Sequence, residues 1–95
     1  MKSVVAANLF RGPETVGGKL HFEETQLVFR SHAFNIQTGT TTIPYTDIVN
    51  VQPVNNLGFI PNGMLVTTKD GHQYKFVVWK RKELIAFLQE KAGLC

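Results

Sequence analysis

Gln73-Tyr74-Lys75-Phe76-Val77-Val78-Trp79-Lys80-Arg81-Lys82-Glu83-Leu84-Ile85-Ala86-Phe87-Leu88-Gln89-Glu90-Lys91 changes its rhythm part-way along. Up to Trp79 the period is two. Tyr74, Phe76 and Val78 fall on one side and Gln73, Lys75 and Val77 on the other, the pattern of a half-buried strand. Beyond Trp79 the period lengthens to that of a helix. Leu84, Ile85, Phe87 and Leu88 form one stripe, while Lys82, Glu83, Gln89 and Glu90 face away. The helix runs to about Lys91, with Gly93 placed as its C-terminal cap. Trp79, at the junction, reads as a packing hinge.

Working back from this stretch, Asp70-Gly71 separates Met64–Lys69 from His72–Trp79 and predicts a hairpin with a type I′ turn. Residues 54–63 are dense in turn formers (Asn55, Asn56, Gly58, Pro61, Asn62, Gly63) yet hold Leu57, Phe59 and Ile60. They read either as an exposed apolar loop able to enter a bilayer boundary or a partner's groove, or as a short irregular strand whose apolar side chains roof the core. Asp47–Pro53 is strand-like, with Val49 and Val51 on one face. Thr40–Ile43 is β-prone, and Pro44 confines it to an edge or ends it. Gln26–His32 and Val16–Phe22 alternate about Glu23-Glu24-Thr25 and read as a hairpin. Gly12-Pro13-Glu14-Thr15 is a turn after the apolar segment Val4–Arg11. The expected fold class is therefore mainly β with one C-terminal α-helix. About seven short antiparallel strands would form a bent sandwich or partly open barrel, capped by the helix.

The chain of 95 residues reads as a single domain, 1–95. Its longest apolar run is Leu84–Leu88, too short for a membrane-spanning helix or a secretory signal. A single cysteine, Cys95, allows no intrachain disulfide and no cysteine-cluster zinc site. A reducing, cytoplasmic setting is expected. Ten Lys and Arg against seven Asp and Glu leave +3, and Lys80-Arg81-Lys82 matches that excess. Between Ser31 and Thr68 the one formal charge is Asp47. A duplex-DNA binder usually shows a broad basic face, so no nucleic-acid partner is expected.

The order of elements resembles pleckstrin-homology (PH)-like folds, and the residues resemble the GRAM domain family. The stretches that carry the likeness begin with Ala7-Asn8-Leu9-Phe10-Arg11-Gly12, Val16-Gly17-Gly18-Lys19-Leu20 and Leu27-Val28-Phe29-Arg30-Ser31-His32. They continue through Phe34-Asn35-Ile36-Gln37, Ile43-Pro44-Tyr45 with Asp47-Ile48, Asn62-Gly63-Met64, and Asp70-Gly71 with Tyr74-Lys75-Phe76. The resemblance implies a scaffold that, in several relatives, binds membrane lipids or proteins. Phosphoinositide-binding PH domains place basic residues around the first hairpin. Here that region offers Arg11, Lys19 and His21, while the turn itself carries Glu14 and no cation.

Lipid or anion binding is thus expected of Arg11, Lys19, Lys69, His72, Lys80, Arg81 and Lys82. Lys80-Arg81-Lys82 lie where a helix begins, and free backbone N–H groups there favour an anion. The bland alternative is a solvated positive turn. Lys69, His72 and Arg11 are expected to approach the opposite, open end as a dispersed rim. Leu57, Phe59 and Ile60 form the candidate interaction loop. His21, His32 and His72 stand without a metal-ligand pattern, and neither serine has a nucleophile motif, so no enzyme activity and no cofactor are expected. The expected role is a non-catalytic binding module with weak peripheral attachment to anionic lipid headgroups, on the inner face of the membrane. The alternative is a soluble protein-interaction or homo-oligomerising domain that uses the neutral sheet edge and the 54–63 loop.

Overall fold

The computed structural model describes residues 3–12, 14–32, 39–56 and 60–94. Strands β1 (Val4–Arg11), β2 (Glu14–Phe22), β3 (Gln26–Ser31) and β4 (Thr40–Pro44) lead into a 3-10 turn, Tyr45–Asp47. Strands β5 (Ile48–Asn56), β6 (Ile60–Thr68) and β7 (Gln73–Val78) follow, and helix α1 (Arg81–Lys91) ends the fold. All seven strands join one antiparallel sheet in the order β4-β3-β2-β1-β7-β6-β5. β4 and β5 therefore occupy opposite edges although only the three-residue 3-10 turn separates them. So short a tether requires the sheet to curl into a half-barrel, and the expected fold class is borne out.

Alternation sorts the side chains. Leu20, Phe22, Leu27, Phe29 and Ile43 point inward from one half of the sheet, and Val51, Met64, Val66, Phe76 and Val78 from the other. Each such burial contributes about 1.5–3 kcal/mol before the cost of chain ordering. α1 packs on β5, β6 and the 3-10 turn, burying Leu84, Ile85 and Leu88. Phe87 lies edge-on to Phe22 at 5.4 Å and to Tyr45 at 6.3 Å. Polar contacts fix both ends of the helix. Arg81 Nη1 donates to the carbonyls of Val54 (3.2 Å) and Gly63 (3.4 Å). Gln89, expected to face away, instead donates from Nε2 to the Val51 carbonyl at 3.0 Å. At the C-terminus, Gly93 N–H donates to Glu90 O and Leu94 N–H to Gln89 O, with Gly93 at φ 73°. This is a Schellman cap, in the place expected for one.

One expectation for the second half is corrected. Val49 and Val51 do not share a face: Val51 is 1% exposed and Val49 47%. A register shift between Ile48 and Asn50 inserts an extra residue, so that Ile48 and Val51 both turn inward. Of the two readings of the turn-rich segment, the short irregular strand agrees with the β5–β6 ladder, which runs through Val54↔Gly63 and, after a register shift, to Asn56↔Ile60. Proline is tolerated here for positional reasons. Pro53 lies on an edge strand, and Pro61 precedes Gly63, where the pairing of β6 with β7 begins.

Gly18 marks the closest approach inside the sheet. A Cβ there would stand 2.3 Å from the Arg30 carbonyl oxygen and 2.8 Å from Phe29 Cζ. The Phe29 ring occupies the space over the glycine and meets Phe76 at 5.9 Å. Gly18→Ala is expected to cost at least about 2 kcal/mol, because backbone rather than a flexible tip blocks the methyl. Gly17→Ala should cost under about 1 kcal/mol. There the added atom meets only the Asn8 side-chain oxygen, at 3.1 Å. Urea denaturation of the two variants checks the contrast.

Tyr45 in the 3-10 turn donates its hydroxyl to the Glu23 carbonyl at 2.7 Å. Burial, with Glu23 second, pushes its phenol up to about 12. The unfolded chain releases this proton near pH 10, about two units earlier. Stability from this group should therefore be complete below pH 10 and fall as pH rises toward 12. Denaturation midpoints at about pH 9 and pH 11.5 should differ less in Tyr45→Phe than in the natural sequence.

Candidate functional site

β1 and β7 pair only over Ala7–Leu9 with Phe76–Val78. Past Leu9 the contact becomes one of side chains, with the Lys75 ammonium 5.7 Å from the Phe10 ring centre. A cleft of about 700 Å³ opens there, lined among others by Phe10, Gly12, Thr40, Thr42, His72 and Tyr74. A neighbouring hollow of about 320 Å³ shares Thr42 and Tyr74 with it and adds Asp47, Lys69 and Asp70. The β1–β2 turn, β4 and the β6–β7 turn thus meet at this end.

The β6–β7 turn is built differently from the expected type I′ form. Only Gly71 has positive φ, at 86°, and Asp70 does not. Gly71 N–H donates to Thr68 O at 2.9 Å and Thr68 N–H to His72 O at 3.0 Å, so three residues form the loop. Asp70 Oδ1 explains the choice. It accepts the Thr68 hydroxyl at 2.5 Å and the His72 N–H at 3.1 Å. The Thr68 hydroxyl above all, then the His72 N–H, holds this carboxyl below the usual carboxylate range. Lys69 N–H donates to the Asp47 carbonyl at 2.9 Å, tying the turn to the 3-10 turn. The His72 ring rests against Tyr74, with centres 4.2 Å apart. Lys69 and His72 are consequently exposed on a fixed turn.

A second constellation lies where β7 passes into α1. Phe76 and Val78 face inward, so alternation turns Trp79 outward, and it is 74% exposed. The reading of Trp79 as a packing hinge is corrected on this ground. Lys80 then adopts φ 57°, ψ 44°, the left-handed region, as the residue capping the helix. For a non-glycine residue that conformation costs roughly 1–2 kcal/mol. It persists because both sides are anchored: Val78 in the core, Leu84 in the core, and Arg81 on the β5–β6 carbonyls. A groove of about 260 Å³ runs between Val4–Ala6 and the first turn of α1, with Trp79, Lys80 and Glu83 on its walls.

The structure groups some of the sequence-predicted residues and separates others. Arg11 ends β1 beside Gly12, and together with Lys69 and His72 it belongs to the open end. Lys19 is exposed mid-strand, opposite Ala6 and Arg30. Lys80 and Lys82 are exposed at the far end of β7, whose six residues span about 20 Å. Arg81 there is engaged with backbone carbonyls. Leu57 and Phe59 lie outside the described residues, and Ile60 opens β6. Sequence reasoning assigned Trp79 to packing, although the alternation that turns Lys75 and Val77 away from the core also turns it outward. Among the described residues no cluster of His, Cys, Asp and Glu could hold a metal, and no helix is long and apolar enough to cross a membrane.

Asp70 gives the open end a pH signature. Its carboxyl titrates lower in the folded chain, so its contribution is present above the usual carboxylate range and is lost as pH falls through the lowered value. Asp70→Ala should flatten the acid limb of a stability-versus-pH curve below about pH 4. Asp70→Asn keeps an acceptor for both donors and should flatten the limb while retaining the turn. Thermal unfolding across this range checks both variants.

Three comparisons bear on this geometry. The crystal structure of the C-terminal domain of an unknown protein from Leishmania infantum matches 95% of this chain and 81% of that one, with TM-score 0.80 and 15% identity. The Slm1-PH domain, crystallised with D-myo-inositol-4-phosphate, matches 99% of this chain and 95% of that one, with TM-score 0.63 and 11% identity. At those identities the likeness shows a shared PH-like fold. A UDP-sugar-dependent glycosyltransferase 52 from Dictyostelium discoideum is 31% identical over 67 residues, which is 70% of this chain but 4% of that protein. The GRAM domain family matches residues 2–91. With its strand order, its C-terminal helix and this match in agreement, the chain belongs to the GRAM domain family.

Proposed function

We propose that this domain is a non-catalytic module attaching weakly to anionic membrane lipid, on the inner face of the membrane. The observation that carries this reading is how its cations are distributed. Lys19, Arg30, Lys69, Lys80 and Lys82 are all exposed, and they stand on separate elements: β2, β3, the β6–β7 turn and the start of α1. Such an arrangement favours a diffuse, salt-sensitive attraction over tight capture of one headgroup. The PH-like neighbour crystallised with an inositol phosphate supports a lipid headgroup as the class of ligand. Family membership supports a binding role without catalysis.

A second reading rests on β4. This strand lies at the sheet edge with Thr40 and Thr42 exposed, a surface on which another chain could pair. It predicts a dimer or larger species at micromolar concentration, measurable by native mass.

For the membrane reading, the protein should co-sediment with vesicles containing about a third phosphatidylserine at low salt, and not with pure phosphatidylcholine. Raising salt to about 0.5 M should release it, because the Debye length then shrinks to a few ångströms. Absence of sedimentation at low salt overturns the proposal.

A further inference from the structure

We infer that the Trp79–Lys80 corner is the surface that touches the bilayer, with Trp79 entering the headgroup boundary and Lys80 and Lys82 facing anionic phosphates. The inference rests on the membrane reading above and adds a site to it. A tryptophan can bury 150–250 Å² of aromatic surface, roughly, when it is enclosed. This one stays 74% exposed although it directly follows a core residue, Val78. Val4, 38% exposed, lines the same groove and extends its apolar wall. An indole with an apolar body and one N–H donor suits the boundary where hydrocarbon meets water.

The charges around it point to a bilayer rather than to a second copy of the chain. The run Lys80-Arg81-Lys82-Glu83 carries three cations and one carboxylate; Lys80 and Glu83 stand on the groove wall, and Lys82 is exposed beside them in the chain. A two-fold contact between copies centred on this corner would bring these lysines against their own images, which like-charge repulsion opposes. A phosphatidylserine-rich surface complements them, and the alkyl stems of Lys80 and Lys82 can lie along it while their ammonium groups reach phosphate. The backbone agrees. Lys80 holds a left-handed conformation that glycine would adopt more easily, yet the position presents a cation. The open-end cleft lies the length of β7 away, so contact at this corner does not depend on it.

Trp79 is the single tryptophan of the chain and reports on its own surroundings. Adding vesicles with about a third phosphatidylserine should shift its emission to shorter wavelength, and lipids brominated near the headgroup should quench it. Trp79→Ala, at an exposed position, should fold normally by circular dichroism and lose about tenfold in vesicle partition. Lys80→Gln and Lys82→Gln should each lose about fivefold. Lys80→Gly should raise Tm by about 3 °C while still weakening vesicle binding. Sedimentation with anionic vesicles while Trp79 emission stays unchanged would overturn this inference and leave the membrane reading standing. No sedimentation at all removes both. A blue shift that grows with protein concentration in the absence of lipid would assign the corner to a second copy and overturn the inference.

Discussion

The seating of α1 on the β5–β6 hairpin governs the rest of the molecule. Leu84 and Leu88 fill the inside of the curled sheet, while Arg81 and Gln89 bond carbonyls of β5 and β6 at two points along the helix. The apolar contacts supply most of the energy, but they are non-directional and would tolerate a sliding helix. The three hydrogen bonds to backbone oxygen are directional and set its register. They also satisfy carbonyls in a part of the ladder where the pairing of β5 with β6 is irregular.

Once the helix is fixed, the link before it has little freedom. Val78 is in the core and Arg81 begins the helix, so two residues must turn the chain from strand to helix. One of them, Lys80, takes the left-handed conformation, and the other, Trp79, is left outside. The strained lysine and the exposed indole are thus two results of a single geometric requirement. At the other end of β7 the arrangement is looser. β1 and β7 separate beyond Leu9, and the cleft there is bordered by His72, next to a turn whose shape depends on Asp70.

Where side-chain spacing alone decides structure, the sequence was legible. Leu20 and Phe22 against Lys19, the strand ending at Val78, the helical stripe and the Gly93 cap all follow from periodicity and from the one residue type that accepts positive φ readily. It was not legible where a local insertion resets the period. The bulge between Ile48 and Asn50 reverses the faces of Val49 and Val51, and composition carries no sign of it. The Asp70-Gly71 pair announced a hairpin but not its loop length, which depends on a hydroxyl, Thr68, placed to hold the aspartate. Residues 54–63 look like a loop because Pro and Asn are rare in strands, yet an edge position and an unpaired strand end excuse them. The candidate site was legible in part. The placing of Lys69 and His72 at the end of β7 opposite Lys80 and Lys82 followed from the strand order, but the engagement of Arg81 with backbone carbonyls required the fold.

The seam between β1 and β7 has a consequence for assembly. β1–β4 form one meander of neighbouring hairpins and β5–β7 another, each closing over short separations. In the sheet they join only through Ala7–Leu9 and Phe76–Val78, which stand near opposite ends of the sequence. Closing that joint brings together segments separated by about three-quarters of the chain, a slow kind of contact to form. A nascent polypeptide lacking its last quarter can therefore build a four-stranded half, but it leaves the inner edge of β1 bare. That edge is the natural target for a chaperone, or for wrong pairing, until β7 leaves the ribosome.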